Sequence, residues 1–213
     1  MTNREGASRG SEAACGTDAR AGPRDPPTPR LRPGGSPAQV RRFPGTALHP
    51  LREGDPVLLQ TRRRALFQDR FPDLAAAARS LPAGLVLDGE LVALDHCGQL
   101  SFTALQRRAT AGRNARALAA EMPAHSLAFD VLRSDGQELL DEPFTHRRKV
   151  LEALFADHRL APPWTLCPST TDPAIADGWL HEWTDVPEVE VVVAKSLTGR
   201  YRPGVGVHLK AHR

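Results

Sequence analysis

The chain has 213 residues, 40% of them hydrophobic, with 28 basic against 25 acidic side chains and three cysteines. That is apolar material enough for a globular core, while no apolar run approaches the ~20 residues of a membrane helix and no signal-peptide core precedes a cleavage site. Cys15, Cys97 and Cys167 are scattered and odd in number, which excludes a disulfide framework and suits a reducing cytoplasm.

Residues 1–56 are rich in Gly, Pro, Arg and Ser and hold few apolar side chains, so they bury too little surface to offset the entropy of ordering. They are expected to be a disordered tail. They carry nine arginines against six acids, leaving 19 basic and 19 acidic residues for the remainder, so the whole net charge of +3 sits there. A solvated low-complexity tail and a DNA-binding arm both fit this composition, and the first is the simpler.

Order is expected from Asp55. Val57–Leu58–Leu59 reads as a strand running into Thr61–Arg62–Arg63–Arg64, which alone is a solvated charge run. Phe71–Pro72 opens a helix to about Ser80, with proline in its first turn. The apolar run Leu85 to Leu94 then reads as a buried strand interrupted by Asp88 and Glu90. Strand side chains alternate, so these two acids share a face, and buried acids demand a partner, hydrogen bonds or a metal. A turn at His96–Gln99 leads to a short helix opened by Ser101. Ala109 to Glu121 is polar and arginine-rich, helical or loose.

Ser126 to Leu132 is a second apolar strand, with one acid, Asp130. By periodicity Phe129 reads as ordinary core, sharing a face with Leu127 and Val131. Ser134–Asp135–Gly136 is a turn. Thr145 is expected to cap a helix whose buried face is Val150, Leu151, Leu154 and Phe155. Asp172–Pro173 starts another helix, with Ile175, Trp179 and Trp183 as its stripe. His146, His158 and His181 have no metal-ligand spacing.

Several of these strings together resemble the ATP-dependent DNA ligases, especially compact bacterial ligases of double-strand-break repair. DGELVAL, a glycine turn and SFTALQRR (residues 88–108) are similar to the family's third motif, and Phe129–Asp130 to its aromatic–Asp motif. Glu190 to Lys195 is similar to E-G-x-V-x-K, with Val191 in place of the glycine. Tyr201–Arg202–Pro203–Gly204 matches Y-R-P-G, and Lys210 the first lysine of the fifth motif. Arg62 falls on the arginine of the Ser-Arg segment, with Thr61 in place of the serine.

The resemblance implies an α+β nucleotidyltransferase domain of antiparallel sheets and packed helices over residues 57–213, without an oligonucleotide-binding barrel. It implies ATP and a divalent metal, Mg²⁺ or Mn²⁺, as cofactors. Phe129 would stack on adenine, Arg62, Glu90, Lys195 and Lys210 would contact the nucleotide, and Glu90 and Glu190 would hold the metal. The partners implied are nicked or broken double-stranded DNA and repair-complex proteins, with no membrane, in the cytoplasm and nucleoid of a bacterium.

One departure bears on activity. The family forms a lysyl–AMP at a K-x-D-G motif, and this sequence has none: its three lysines are Lys149, Lys195 and Lys210. Arginine stays protonated and cannot replace the lysine as a nucleophile. An impaired ligase is therefore expected, the alternative being a catalytically silent remnant that binds nucleotide or DNA; an RNA-joining or capping relative fits the strings less well.

Overall fold

A computed structural model describes residues 38–41, 46–50, 57–61, 65–182, 191–202 and 207–209. The six-stranded sheet that carries the core begins with β2 (Thr46–Pro50) and β3 (Val57–Thr61), an antiparallel pair in which Leu48 faces Leu59 across the ladder. β2 also pairs with β4 (Val86–Ala93), and β4 with the long strand β5 (Ala124–Ser134). β6 (Gln137–Glu138) closes a hairpin on β5, and β7 (Trp164–Leu166) adds to β5 in parallel. Asp135 and Gly136 both have positive φ (50° and 77°), the backbone of a tight two-residue hairpin, as expected from their residue types.

The second sheet has four strands in the order β10 (Val207–Leu209), β9 (Val191–Ala194), β1 (Ala38–Arg41) and β8 (Ser169–Thr170), all antiparallel. The α+β expectation thus holds. Two strands lie upstream of residue 56: β1 and β2 pair in the two sheets. Four- and five-residue strands need only neighbours with which to share hydrogen bonds, and composition averaged over 56 residues cannot register them.

The helices follow local chemistry. Helix α1 (Pro72–Ala77) has proline in its first turn and passes into a 3-10 turn ending at Ser80. Helix α2 (Phe102–Thr110) is capped by Ser101, whose Oγ accepts from the Ala104 amide at 3.1 Å. Ala109 to Glu121 is helical rather than loose: α2 runs to Thr110 and α3 covers Ala115–Glu121 after a 3-10 turn. Helix α5 (Pro173–Glu182) starts as expected, with Asp172 Oδ1 accepting from the Ala174 amide at 2.9 Å.

Helix α4 (Phe144–Asp157) departs from expectation at its start. Thr145 is not its cap; instead the Phe144 and Thr145 amides donate to the carbonyls of Gly199 and Leu197, each at 3.0 Å. The stretch after β9 therefore satisfies donors that a helix otherwise leaves open.

The core joins Leu85, just before β4, and Leu87 of β4, Ala124, Ala128 and Val131 of β5, Phe71, Leu74 and Ala78 from the α1 region, Leu151 and Leu154 of α4, and Trp164. Arg108 of α2 is fully buried against it. Its guanidinium holds Asp73 of α1 through two bonds (2.5 and 3.1 Å), donates to the Met122 carbonyl at 2.6 Å, and lies 5.0 Å from the Phe71 ring centre. The terminal arginine of SFTALQRR is thus a buried clamp between α1, α2 and the entry to β5.

Candidate functional site

The site is built on the faces of β4 and β5 that alternate with the core. On β4, Leu87 enters the core and Leu91 packs against it, so Asp88 and Glu90 point to the other side, as alternation requires; both are buried, at 6% and 1% exposure. On β5 alternation fails in a useful way. Asp88 pairs with Asp130 and Gly89 with Ala128, so Phe129 is an extra residue on β5. A bulge of this kind shifts the phase of the strand. Ala128 and Val131, three apart, therefore both reach the core, while Phe129, though fully buried, lies outside that cluster.

The consequence is that neighbours in sequence meet the same cation. Lys195 lies one residue past the end of β9, so it is released from that strand's alternation. Its ammonium stands 4.8 Å from the Phe129 ring centre, 4.9 Å from that of Phe144, and 3.2 Å from Asp130 Oδ2. Cations attract ring faces at this range.

Asp130 is 1% exposed and holds a second cation. Arg147 of α4 meets both its carboxylate oxygens, at 2.8 and 3.1 Å, and donates to the carbonyls of Glu142 (2.5 Å) and Gly199 (3.3 Å). A buried carboxylate with planar, bidentate arginine is among the stronger ionic contacts. The same loop returns through Tyr201, whose hydroxyl donates to Asp88 Oδ2 at 2.9 Å. Tyr201 also anchors by its amide to the Leu140 carbonyl at 2.8 Å.

Gly89, between the two acids, is dictated by space. A Cβ there would stand 2.8 Å from the Leu127 carbonyl oxygen and 3.3 Å from Ala128 Cα. The D-G-E string therefore combines two carboxylates on one face with a residue that lets β4 and β5 close together.

Of the residues expected at the site, Phe129 and Lys195 are in direct contact, and Glu90 lies on the same side of the β4–β5 pair. Arg62, Glu190 and Lys210 lie outside the described residues. Asp130 and Arg147 also belong to the site, and neither is among the residues expected there. Both had a signal: an acid inside an apolar strand, and an arginine on the buried stripe Phe144, Arg147, Leu151 and Leu154 of α4. Each requires an opposite charge when buried. For a divalent cation, Asp88 and Glu90 supply the hard oxygen donors that Mg²⁺ and Mn²⁺ select, so the donor chemistry fits.

A different group lies at the turn after β4, where ligand atoms of Asp95, His96 and Cys97 are within 4.8 Å of one another. The turn itself accounts for it: Asp95 Oδ1 accepts from the amides of Cys97 (2.8 Å) and Gln99 (3.0 Å). A cavity of about 410 Å³ beside it is lined by Asp95, His96, Arg107 and Glu121 among others, and by none of the expected site residues.

Comparison with known proteins settles the class. Residues 45–210 match the ATP dependent DNA ligase domain. The chain belongs to the ATP-dependent DNA ligase family. It is 37% identical over 161 residues to DNA ligase C2 of Mycolicibacterium smegmatis, covering 75% of this chain and 44% of that protein. It is likewise 37% identical over 166 residues to DNA ligase C of Mycobacterium tuberculosis, covering 75% and 45%. Among solved structures it resembles the ligase domain of M. tuberculosis LigD, with a TM-score of 0.62 and 29% identity over 86% of this chain and 59% of that one. A mycobacterial DNA ligase D complexed with ATP and MES gives 0.59 and 29%, over 83% and 56%. The chain thus spans less than half the length of these curated ligases, and its nucleotidyltransferase fold is that of the ligase domain. Among the described residues no helix is long and apolar enough to cross a membrane.

Proposed function

We propose that these 213 residues form the nucleotide-handling part of a DNA ligase acting on nicked or broken double-stranded DNA in repair and recombination. The observation that carries this is the seat of Lys195. A lysine ammonium lies over the ring of Phe129 beside Asp130, on the side of the β4–β5 pair that bears Asp88 and Glu90. Phe129, fully buried here, would stack on adenine once the side chains that cover it move aside, and Lys195, with Lys210 and Arg62, offers positive charge for phosphates. Asp88, Glu90 and Glu190 are the carboxylates that would hold a divalent metal, which would neutralise charge on the phosphates.

We further propose that the covalent first step is impaired. That step needs a lysine Nζ to attack the α-phosphorus, forming an N–P bond and expelling pyrophosphate. Ahead of β2 the sequence reads Arg42–Phe43–Pro44–Gly45: it keeps the glycine of K-x-D-G but has arginine and proline for lysine and aspartate. Lys149, on α4, is exposed and offers no aimed amine. Lys195 is engaged by a carboxylate and two rings. Sealing of a pre-adenylated nick does not need the missing lysine, which favours slow residual joining over a silent nucleotide-binding remnant.

The test is incubation with α-labelled ATP and Mg²⁺, then denaturing electrophoresis, alongside a pre-adenylated nicked duplex. No labelled band, with some joining of the pre-adenylated duplex, is expected. A phosphoramidate band that disappears on changing Lys149, Lys195 or Lys210 overturns the impairment; failure to bind ATP at all overturns the nucleotide site.

A further inference from the structure

We propose that α2, the 3-10 turn after it and α3 grip the sugar–phosphate backbone of double-stranded DNA through the exposed guanidinium groups of Arg107, Arg113 and Arg116. The proposal rests on the DNA-joining reading above and concerns a surface that carries none of the nucleotide-site residues.

From His96 to Ala120 the sequence holds four arginines and no aspartate or glutamate. Arg108 is buried and neutralised by Asp73. The other three are exposed, and none forms an ion pair among the described residues. Arg107 borders the cavity that Asp95 and Glu121 also line, without an ion pair to either. A solvated helix face ordinarily mixes signs, because opposite charges at i,i+4 stabilise a helix and like charges destabilise it by a similar amount. Helix α4 of the same chain follows that rule, with Arg148 donating to Glu152 at 2.6 Å. Arg113 and Arg116 have no acid within four residues of either. Beside them, Thr103, Gln106, Arg107 and Thr110 stand at i, i+3, i+4 and i+7 of α2 and are all exposed, while Ala104 and Arg108 are buried. An acid-free polar surface with three guanidinium forks suits a repeating phosphate backbone. Its position suits the flank of a duplex held at the site. Ala104 packs with Ala93, the last residue of β4, and three residues, about 10 Å of strand, separate Ala93 from Glu90. The face thus begins well inside the ~34 Å of one duplex turn.

The experiment uses the 213-residue chain and a fluorescent nicked duplex, with affinity read by anisotropy from about 50 to 200 mM KCl. Arg107→Ala/Arg113→Ala/Arg116→Ala is expected to reduce the slope of log K against log salt by about 2–3, since each phosphate contact contributes about 0.9. Each single change should reduce it by about one. The matched triple Arg133→Ala/Lys149→Ala/Arg159→Ala removes equal charge from β5, α4 and the turn after it, and should change the slope by less than about one. ATP affinity, by calorimetry, should stay within about twofold in the first triple, whose charges lie about a screening length or more from the acids. An unchanged slope in the first triple, or equal changes in the two triples, overturns the grip and leaves the DNA-joining reading in place. Wild type that binds no duplex overturns both, and ATP binding then judges the nucleotide site by itself. Capture by phosphatidylglycerol vesicles in preference to duplex, lost in the first triple, gives the face to a lipid surface and overturns the DNA grip; exposed Leu100 and Phe102 at the head of α2 are the side chains such a surface would take. If the first triple does not melt cooperatively, the three single variants decide, and slopes equal to wild type in all three overturn the proposal.

Discussion

Gly89→Ala tests the packing on which the candidate site depends. The added methyl would stand 2.8 Å from the Leu127 oxygen and 3.3 Å from both Leu127 C and Ala128 Cα. All three atoms are backbone of β5, so no side-chain rotation relieves the contact; the strands must separate. Overpacking of this kind costs about 1–3 kcal/mol. Stiffening the unfolded chain returns about 0.4–1 kcal/mol. The net is a destabilisation of roughly 1–2 kcal/mol, which for a domain of this size lowers Tm by about 2–8 °C. Gly178→Ala is the contrast: Gly178 lies inside α5 with nothing within 4 Å of its added Cβ. There the substitution gains helix propensity of about 0.5–1 kcal/mol and should raise Tm by a few degrees. Thermal melts by far-UV circular dichroism under one buffer and scan rate compare the two. A Gly89→Ala protein that melts at or above wild type refutes the close strand approach.

Three further substitutions read other parts of the scaffold. Arg108→Ala leaves Asp73 and the Met122 carbonyl without their buried guanidinium and should cost about 3–5 kcal/mol, seen as a lower denaturant midpoint; a loss under 1 kcal/mol contradicts the clamp. Ser101→Ala removes the cap of α2 and should cost about 1 kcal/mol in the same assay, while Ser101→Asp, which also accepts from the Ala104 amide, should not. Tyr201→Phe deletes the donor to Asp88 and should destabilise by about 1–3 kcal/mol; unchanged stability would show the bond to be dispensable.

How much of this is legible in sequence depends on the element. The shared face of Asp88 and Glu90 follows from strand alternation alone, and the start of α2 follows from a serine three residues before an amide that needs an acceptor. The meeting of Phe129, Asp130 and Lys195 does not follow. Phe129 reads as core by period, and only the register of β5 against β4 shows that one extra residue puts it and Asp130 within reach of one ammonium. Lys195 is equally opaque, because its direction is set by where β9 stops. The start of α4 is hidden for a related reason: Thr145 is a good cap by type, yet its amide is met by a carbonyl more than fifty positions away. Local rules hold where the partners are local and fail where a distant segment supplies them.

The carbonyls of Leu197 and Gly199 and the amide of Tyr201 stitch the segment after β9 to the Leu140–Thr145 region in three places. Such a seam opens as a unit, since releasing one bond leaves the others strained against a displaced backbone. In amide hydrogen exchange, Phe144, Thr145 and Tyr201 should therefore share one opening free energy. Lys195 sits at the head of that seam. Fraying of the first turn of α4 would withdraw Phe144, one of the two rings beside the ammonium, and leave Phe129 and Asp130 of β5 to hold it, so the seat of the cation is coupled in part to the local melting of a helix end.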